Sequence, residues 1–89
     1  QTGREGGDVK DQTRIVLEKI EALLGAYGSD KRHLLTATIY LKDMKDFAAM
    51  NEVWDGWIED GFEPARACVA ASLASESLAV EIVVTAALK

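Results

Sequence analysis

The sequence contains few of the residues that mark specialised classes of protein. Its 89 residues include one cysteine, one histidine and one proline, and only 7% are aromatic. A single cysteine cannot form an internal disulfide, which fits a reducing compartment. No apolar run approaches the ~20 residues that span a bilayer, and the polar N-terminus does not resemble a signal peptide. These features predict a cytoplasmic protein without a membrane anchor.

Positive charge is also scarce. Fifteen acidic residues against ten basic ones give a net charge of −5 and a pI of about 4.7. This balance argues against nucleic acid or an anionic membrane as the main partner. There is no His/Cys/Asp spacing typical of metal ligands and no glycine-rich phosphate loop, so we expect no metal and no organic cofactor. The hydrophobic fraction of 48% indicates a small globular domain.

Hydrophobic spacing predicts two helices. The first extends from Val9 to Tyr27, with Asp8 as its N-cap and Gly28 as its left-handed stop. The second extends from Met44 to about Glu59 and follows a cap at Asp43. Its apolar stripe indicates the side that faces the core and contains Phe47, Met50, Val53, Trp54 and Trp57 or Ile58.

Alternating patterns predict three strands, at residues 35–41, 65–73 and 78–87. The strand–helix–strand order over residues 35–73 is a crossover unit, so we expect the first two strands to be parallel and the third to add antiparallel. Two helices can cover only one face of this sheet. The prediction is therefore an α+β fold with a mixed sheet and both helices on one face, formed by Leu35, Ile39, Val69, Val80 and Ile82.

The opposite face is expected to combine small apolar residues with two charges. The last two strands, joined near Ala74-Ser75, predict an antiparallel hairpin that sets Glu81 opposite Cys68, with Arg66 one step further. A plain cross-strand ion pair of about 0.2–1 kcal/mol is the simpler interpretation. The apolar setting would partly desolvate both charges, which favours a pocket closed by another subunit.

Five short segments resemble the RidA (YjgF) family of enamine/imine deaminases, also known as the endoribonuclease L-PSP family. They are DVKDQTR at 8–14, TIYLKDM at 38–44, MN at 50–51, PARAC at 64–68 and VEI at 80–82. The PARAC segment followed by VEI is the most specific pair of motifs. The similarity covers residues 8 to 88.

This resemblance implies a chorismate-mutase-like fold, a homotrimer, and pockets between its subunits. The implied reaction is hydrolysis of 2-enamino or 2-imino acids, such as 2-aminoacrylate, to 2-keto acids and ammonia, without a cofactor. Position by position, Arg66 would hold the substrate carboxylate, Cys68 and Asn51 would line the pocket, and Glu81 would handle the attacking water. Because His33 lies in another element, we expect Cys68 to form part of the pocket wall and not to act as a nucleophile.

Two other functions compete with this one. A trimeric binding or regulatory protein for small 2-keto acids would use the same arginine without turnover. RNA cleavage, proposed for relatives, is disfavoured by the acidic charge.

Family members begin with a longer segment that forms a first β-hairpin. Residues 1–89 are therefore expected to form one domain that lacks this hairpin. Residues 1–7 are expected to be a polar loop.

Overall fold

A computed structural model describes residues 8–89, and the loop predicted for residues 1–7 lies outside them. In chain order the helices and strands are α1 (Val9–Ala26), β1 (Leu34–Leu41), α2 (Phe47–Trp57), β2 (Ala65–Ala70) and β3 (Val80–Ala86). Single 3-10 turns at Lys31–His33 and Met44–Asp46 precede β1 and α2.

Helix α1 begins at the predicted Val9 and ends at Ala26, one residue before the predicted Tyr27. The Asp8 carboxylate accepts a hydrogen bond from the backbone N–H of Asp11 at 2.8 Å and so caps the first turn. At the other end, Gly28 adopts a φ of 79°, the left-handed conformation that glycine accommodates most easily. Between these ends, Val16, Leu17 and Ile20 are buried against the sheet and α2.

Helix α2 begins later than predicted. The Asp43 carboxylate does cap a turn, by accepting from the backbone N–H of Lys45 at 3.0 Å, but that turn is the 3-10 segment Met44–Asp46. The α-helix proper starts at Phe47 and ends at Trp57, after which Ile58 is extended. The helix is thus shorter at both ends than the predicted span of residues 44–59.

The sheet has the order β2-β1-β3. Strand β2 is parallel to β1 and β3 is antiparallel to it, as the crossover argument predicts. The predicted hairpin between β2 and β3 is wrong, because β1 lies between them. The connection passes over the end of β1, where Ala71 N–H donates to Leu41 O at 2.9 Å and Lys42 N–H donates to Ala79 O at 3.0 Å.

Both helices cover one face of the sheet, as predicted. That face buries Ile39, Leu41, Val80 and Ile82 completely, and they pack with Leu17, Met50 and Trp54 into a single core. Leu35 and Val69, expected on this face, are instead 56% and 43% exposed. The register shifts between Leu34 and Thr36, so Leu34 is buried in place of Leu35. Val69 pairs with Tyr40 and therefore shares its face.

A buried polar side chain joins α1 to the segment between β2 and β3. Gln12 is 1% exposed, and its amide nitrogen donates to Ser77 O at 3.0 Å. Its amide oxygen accepts from the backbone N–H of Ala79 at 2.7 Å. One side chain therefore satisfies a donor and an acceptor of an irregular segment just before β3.

No helix within residues 8–89 is long and apolar enough to cross a membrane. A cytoplasmic location stays a prediction.

Replacing Gln12 should destabilise the fold. In Gln12→Ala the backbone groups of Ser77 and Ala79 lose these partners, so we expect the free energy of unfolding to fall by about 2–3 kcal/mol. Urea unfolding followed by circular dichroism would measure the change. Glu18→Ala, an exposed substitution on the same helix, is the matched control and should change stability little. Equal effects of the two substitutions would contradict a structural role for Gln12.

Candidate functional site

Arg66 lies on the edge strand β2 and points toward α2. In the parallel register it pairs with buried Ala37, so both side chains face the helices. Its Nη1 donates to Asn51 Oδ1 at 2.6 Å. Its Cζ lies 5.5 Å from the ring centroid of Trp54 and 5.9 Å from that of Phe47, distances typical of cation–π contacts. The guanidinium group is thus held by one amide and two aromatic rings.

No carboxylate of residues 8–89 forms an ion pair with Arg66. The other two arginines of this range do have acidic partners: Arg14 pairs with Asp11, and Arg32 with Glu59. The Arg32 pair is bidentate, with Nε donating to Oε2 at 2.9 Å and Nη2 donating to Oε1 at 2.7 Å. In Arg66 the corresponding Nε–Nη2 edge donates to no acceptor within the same range, so it can receive an external carboxylate.

Asn51 connects Arg66 to a further side chain. Its amide oxygen accepts from Arg66, and its amide nitrogen donates to Asp55 Oδ2 at 3.3 Å. Asn51 and Asp55 are four residues apart on α2, a spacing that places two side chains on the same helix face. The structure therefore brings together two of the predicted pocket residues, Asn51 and Arg66.

Cys68 is the next residue of β2 on the helix side. It pairs with Ile39 and packs against the buried core. Burial raises the pKa of its thiol above the ordinary value, and the positive charge of Arg66 offsets part of that increase. The sulfur therefore stays protonated at neutral pH, as expected for a wall residue and not for an activated nucleophile.

Glu81 lies on the opposite face of the sheet. It pairs with Tyr40 on β3, whereas its neighbour Ile82 pairs with Ile39 and is buried under the helices. The predicted row of Arg66, Cys68 and Glu81 on one face is therefore wrong. An Arg66–Glu81 ion pair within one chain is excluded for the same reason, because the sheet separates the two side chains.

The face that carries Glu81 is not covered by any element of residues 8–89. It holds a central group of small and apolar residues, among them Val69 and Val83, which are 43% and 49% exposed. The hydroxyls of Thr36 and Thr85 hydrogen-bond to each other across β1 and β3 on this face. We call it the open face, comprising Thr36, Thr38, Tyr40, Ala65, Ala67, Val69, Glu81, Val83 and Thr85.

Three clefts of the described chain lie away from these residues. One of about 430 Å³ lies between the two helices, one of about 450 Å³ beside the segment before β3, and one of about 350 Å³ between α1 and β3. None of the three is lined by Arg66, Cys68 or Glu81. These three residues therefore do not share an enclosed pocket within one chain.

No group of three or more His, Cys, Asp or Glu side chains in residues 8–89 is arranged to hold a metal ion. His33, given no catalytic role from the sequence, contacts Asp30 through Nδ1 at 2.6 Å, in the turn before β1. Sequence reasoning missed two features of the site. It treated Phe47 and Trp54 only as apolar residues, and it did not weigh Asp55, although the spacing from Asn51 was a usable signal.

Comparison with known proteins decides the family. Residues 1–88 match the family model described as Endoribonuclease L-PSP. A RutC family protein of Haemophilus influenzae is 47% identical over 76 residues, which cover 85% of this chain and 66% of the relative. A YjgF-family protein of Neisseria meningitidis, NMB1025, superposes with a TM-score of 0.96 at 48% identity, covering 99% of this chain and 74% of the other. The chain belongs to the RidA/YjgF family.

This membership confirms the resemblance stated from the motifs and the α+β fold. TdcF of Escherichia coli, whose name describes a reactive intermediate deaminase, is 32% identical over 84 residues. These residues are 92% of this chain and 65% of TdcF. The chain thus spans about two thirds of the length of this RidA/YjgF relative and of the Haemophilus influenzae protein. The roles of Arg66, Cys68, Asn51 and Glu81 stay predictions.

The environment of Cys68 can be tested by titration, because the chain has one cysteine. Since burial raises the thiol pKa, the thiolate absorbance near 240 nm, taken as the difference from Cys68→Ser to remove the signal of the two tyrosines, should appear at higher pH in the folded chain than in the urea-unfolded chain. Arg66→Gln removes a positive charge that favours the thiolate, so it should move the folded midpoint further upward. A folded midpoint at or below the unfolded one would contradict this assignment.

Proposed function

We propose that this protein hydrolyses 2-imino acids, formed from 2-enamino acids such as 2-aminoacrylate, to 2-keto acids and ammonia. The observation that carries the proposal is Arg66, a guanidinium held by an amide and two rings, without an acidic partner among the described residues. The free Nε–Nη2 edge suits the planar carboxylate that all these substrates share. The name of the relative TdcF supports the same reaction class.

Glu81 would supply the proton chemistry. An imine carbon is already electrophilic, so the site has to orient it, position a water molecule and move protons. The Glu81 carboxylate accepts a proton from water as the oxygen adds to the carbon, and it returns that proton to the nitrogen, which gives a carbinolamine. Glu81 then moves the hydroxyl proton to the nitrogen, the C–N bond breaks to release ammonia, and the hydroxyl oxygen becomes the keto oxygen. No oxidation or reduction occurs, and no cofactor is needed.

One subunit cannot bring Arg66 and Glu81 to the same substrate, because they lie on opposite sides of the sheet. The proposed site is therefore composite, with Arg66, Cys68 and Asn51 from one subunit and Glu81 from another. The open face supports this arrangement, since its exposed Val69 and Val83 suit a subunit interface better than bulk water. A homotrimer, with three such sites, is the assembly that we propose.

Two alternatives would change the interpretation of Arg66. A trimer that binds 2-keto acids without turnover would need the arginine but not Glu81. RNA cleavage, which the name of the family model suggests, is a poorer match to a chain with a net charge of −5. The assays below use the protein at its full encoded length.

Arg66→Gln should greatly weaken binding of pyruvate, the keto acid that hydrolysis of 2-iminopropanoate produces, which keeps the substrate's carboxylate. Losing one bidentate, charge-assisted contact is expected to cost about 2–4 kcal/mol. Calorimetric titration would measure the affinity. Arg14→Gln, which removes an arginine from an exposed ion pair on α1, is the matched control and should bind like the unmodified protein. Unchanged affinity in Arg66→Gln would remove Arg66 from the site.

Mixing two inactive variants tests both catalysis and the composite site. Glu81→Gln keeps size and hydrogen bonding but cannot accept the proton, so hydrolysis of 2-iminopropanoate above its spontaneous rate should fall about 10²–10⁴-fold. Arg66→Gln should also be inactive. Unfolding and refolding the two variants together should restore about a quarter of the activity, because a random trimer pairs an intact Arg66 with an intact Glu81 at one site in four.

Each other outcome of the mixing experiment has a defined meaning. No recovery, with refolded unmodified protein active, would contradict a composite site. Full activity of Glu81→Gln alone would clear Glu81 of a catalytic role. Binding of pyruvate without any turnover by the unmodified protein would favour the binding or regulatory function. Glu18→Gln is the control for a neutralised glutamate elsewhere on the surface.

A further inference from the structure

The hydrogen bonds around Asn51 have a fixed polarity. Arginine can only donate hydrogen bonds and a carboxylate can only accept them, whereas an asparagine amide has one end of each kind. Asn51 lies between Arg66 and Asp55, with its oxygen 2.6 Å from Arg66 Nη1 and its nitrogen 3.3 Å from Asp55 Oδ2. If the amide turned over, its N–H₂ group would face the guanidinium and its oxygen would face the carboxylate. Both contacts would then be lost.

The contacts of Arg66 restrict different motions of its guanidinium. The rings of Trp54 and Phe47 attract the cation but are weakly directional, so they keep the group near α2 without fixing its rotation. The hydrogen bond to Asn51 is directional and engages Nη1. It therefore occupies one N–H of Nη1 and leaves the Nε–Nη2 edge available for a ligand. Arg32 uses that same edge to hold Glu59 in a bidentate pair.

We infer that Asp55 is a positioning residue for Arg66: it orients the Asn51 amide, and the amide in turn presents the Nε–Nη2 edge of Arg66 to the substrate carboxylate. This inference rests on the proposed function for the identity of the ligand. The orientation itself does not depend on it. Asp55 does not touch the substrate, and its effect passes entirely through Asn51.

The acceptor and the charge of Asp55 can be separated by substitution. Asp55→Ala removes the acceptor and should weaken pyruvate binding about three- to tenfold, the loss expected for one hydrogen bond. Asp55→Asn keeps an acceptor oxygen without the charge and should bind nearly normally. Asp60→Ala removes an exposed acidic residue just beyond α2 and is the matched control for charge. If Asp60→Ala or Asp55→Asn weakened binding as much as Asp55→Ala, the loss of affinity would come from the lost negative charge and not from the lost hydrogen-bond acceptor. The inference would then be wrong.

A second substitution on the path from Asp55 to Arg66 gives a stricter test. Asn51→Ala removes the amide that lies between the two side chains and should weaken pyruvate binding. In that background Asp55→Ala should have no further effect, because its effect passes through Asn51. Asp55→Ala should have no effect in an Arg66→Gln background, because the residue acts through Arg66. An undiminished effect of Asp55→Ala without Asn51 or without Arg66 would overturn the inference.

A measurement without ligand separates this inference from the proposed function. The Arg66 guanidinium signals in the NMR spectrum, assigned by their loss in Arg66→Gln, report rotation about its C–N bonds. Asp55→Ala should speed that rotation, and Asp55→Asn and Asp60→Ala should not. Unchanged rotation in Asp55→Ala would overturn the inference even if the protein is an active deaminase. Faster rotation in a protein that neither binds pyruvate nor hydrolyses imines would support the positioning role and reject the proposed function.

Discussion

The main constraint on this fold is that two helices can cover only one face of a sheet. Helices α1 and α2 both pack on the same face, and no element of residues 8–89 covers the other. β1 is the central strand, and its inward side chains Ala37, Ile39 and Leu41 are 2% exposed or less. The alternation of side chains along a strand then sends Thr38 and Tyr40 to the uncovered side. The open face therefore follows directly from the burial of the core.

The same constraint separates Arg66 from Glu81. A shift of one residue in either strand register would bring them to the same face, but it would also turn every buried side chain of that strand outward. For β3 this would expose Val80 and Ile82, both of which are completely buried. Each fully buried side chain of this size is worth about 1.5–3 kcal/mol, far more than a surface ion pair, so the core fixes the register and the two charges stay apart.

Local pattern was enough to predict the elements, but not which strands lie side by side. The cap at Asp8 and the stop at Gly28 depend on short-range chemistry, and the strand–helix–strand order predicts the parallel crossover; the structure has all three. The cap predicted for α2 at Asp43 belongs instead to the 3-10 turn that precedes the helix. The hairpin was wrong because alternation reports only that a strand has two faces, not which strand lies beside it. The β-bulge that buries Leu34 instead of Leu35 leaves no signal in the alternating pattern.

The candidate site could be predicted only where a family motif supplied the residues. Asn51 and Arg66 are 15 positions apart and belong to different elements, so periodicity alone could not place them in contact. The contacts of Arg66 with Phe47 and Trp54 depend on how α2 crosses the edge strand β2. That crossing is set by packing of the whole core and not by any local pattern.

Within residues 8–89, the groups that hydrogen-bond to Arg66 or contact it through a ring are all uncharged. An amide and two rings hold the guanidinium, and burial keeps the nearby Cys68 thiol neutral. Asp55 is charged, but Asn51 lies between it and the arginine. A carboxylate in direct contact would neutralise the group and compete with a ligand, as Glu59 does at Arg32. The positive charge of Arg66 is therefore not cancelled by an ion pair within residues 8–89, although the chain as a whole is acidic.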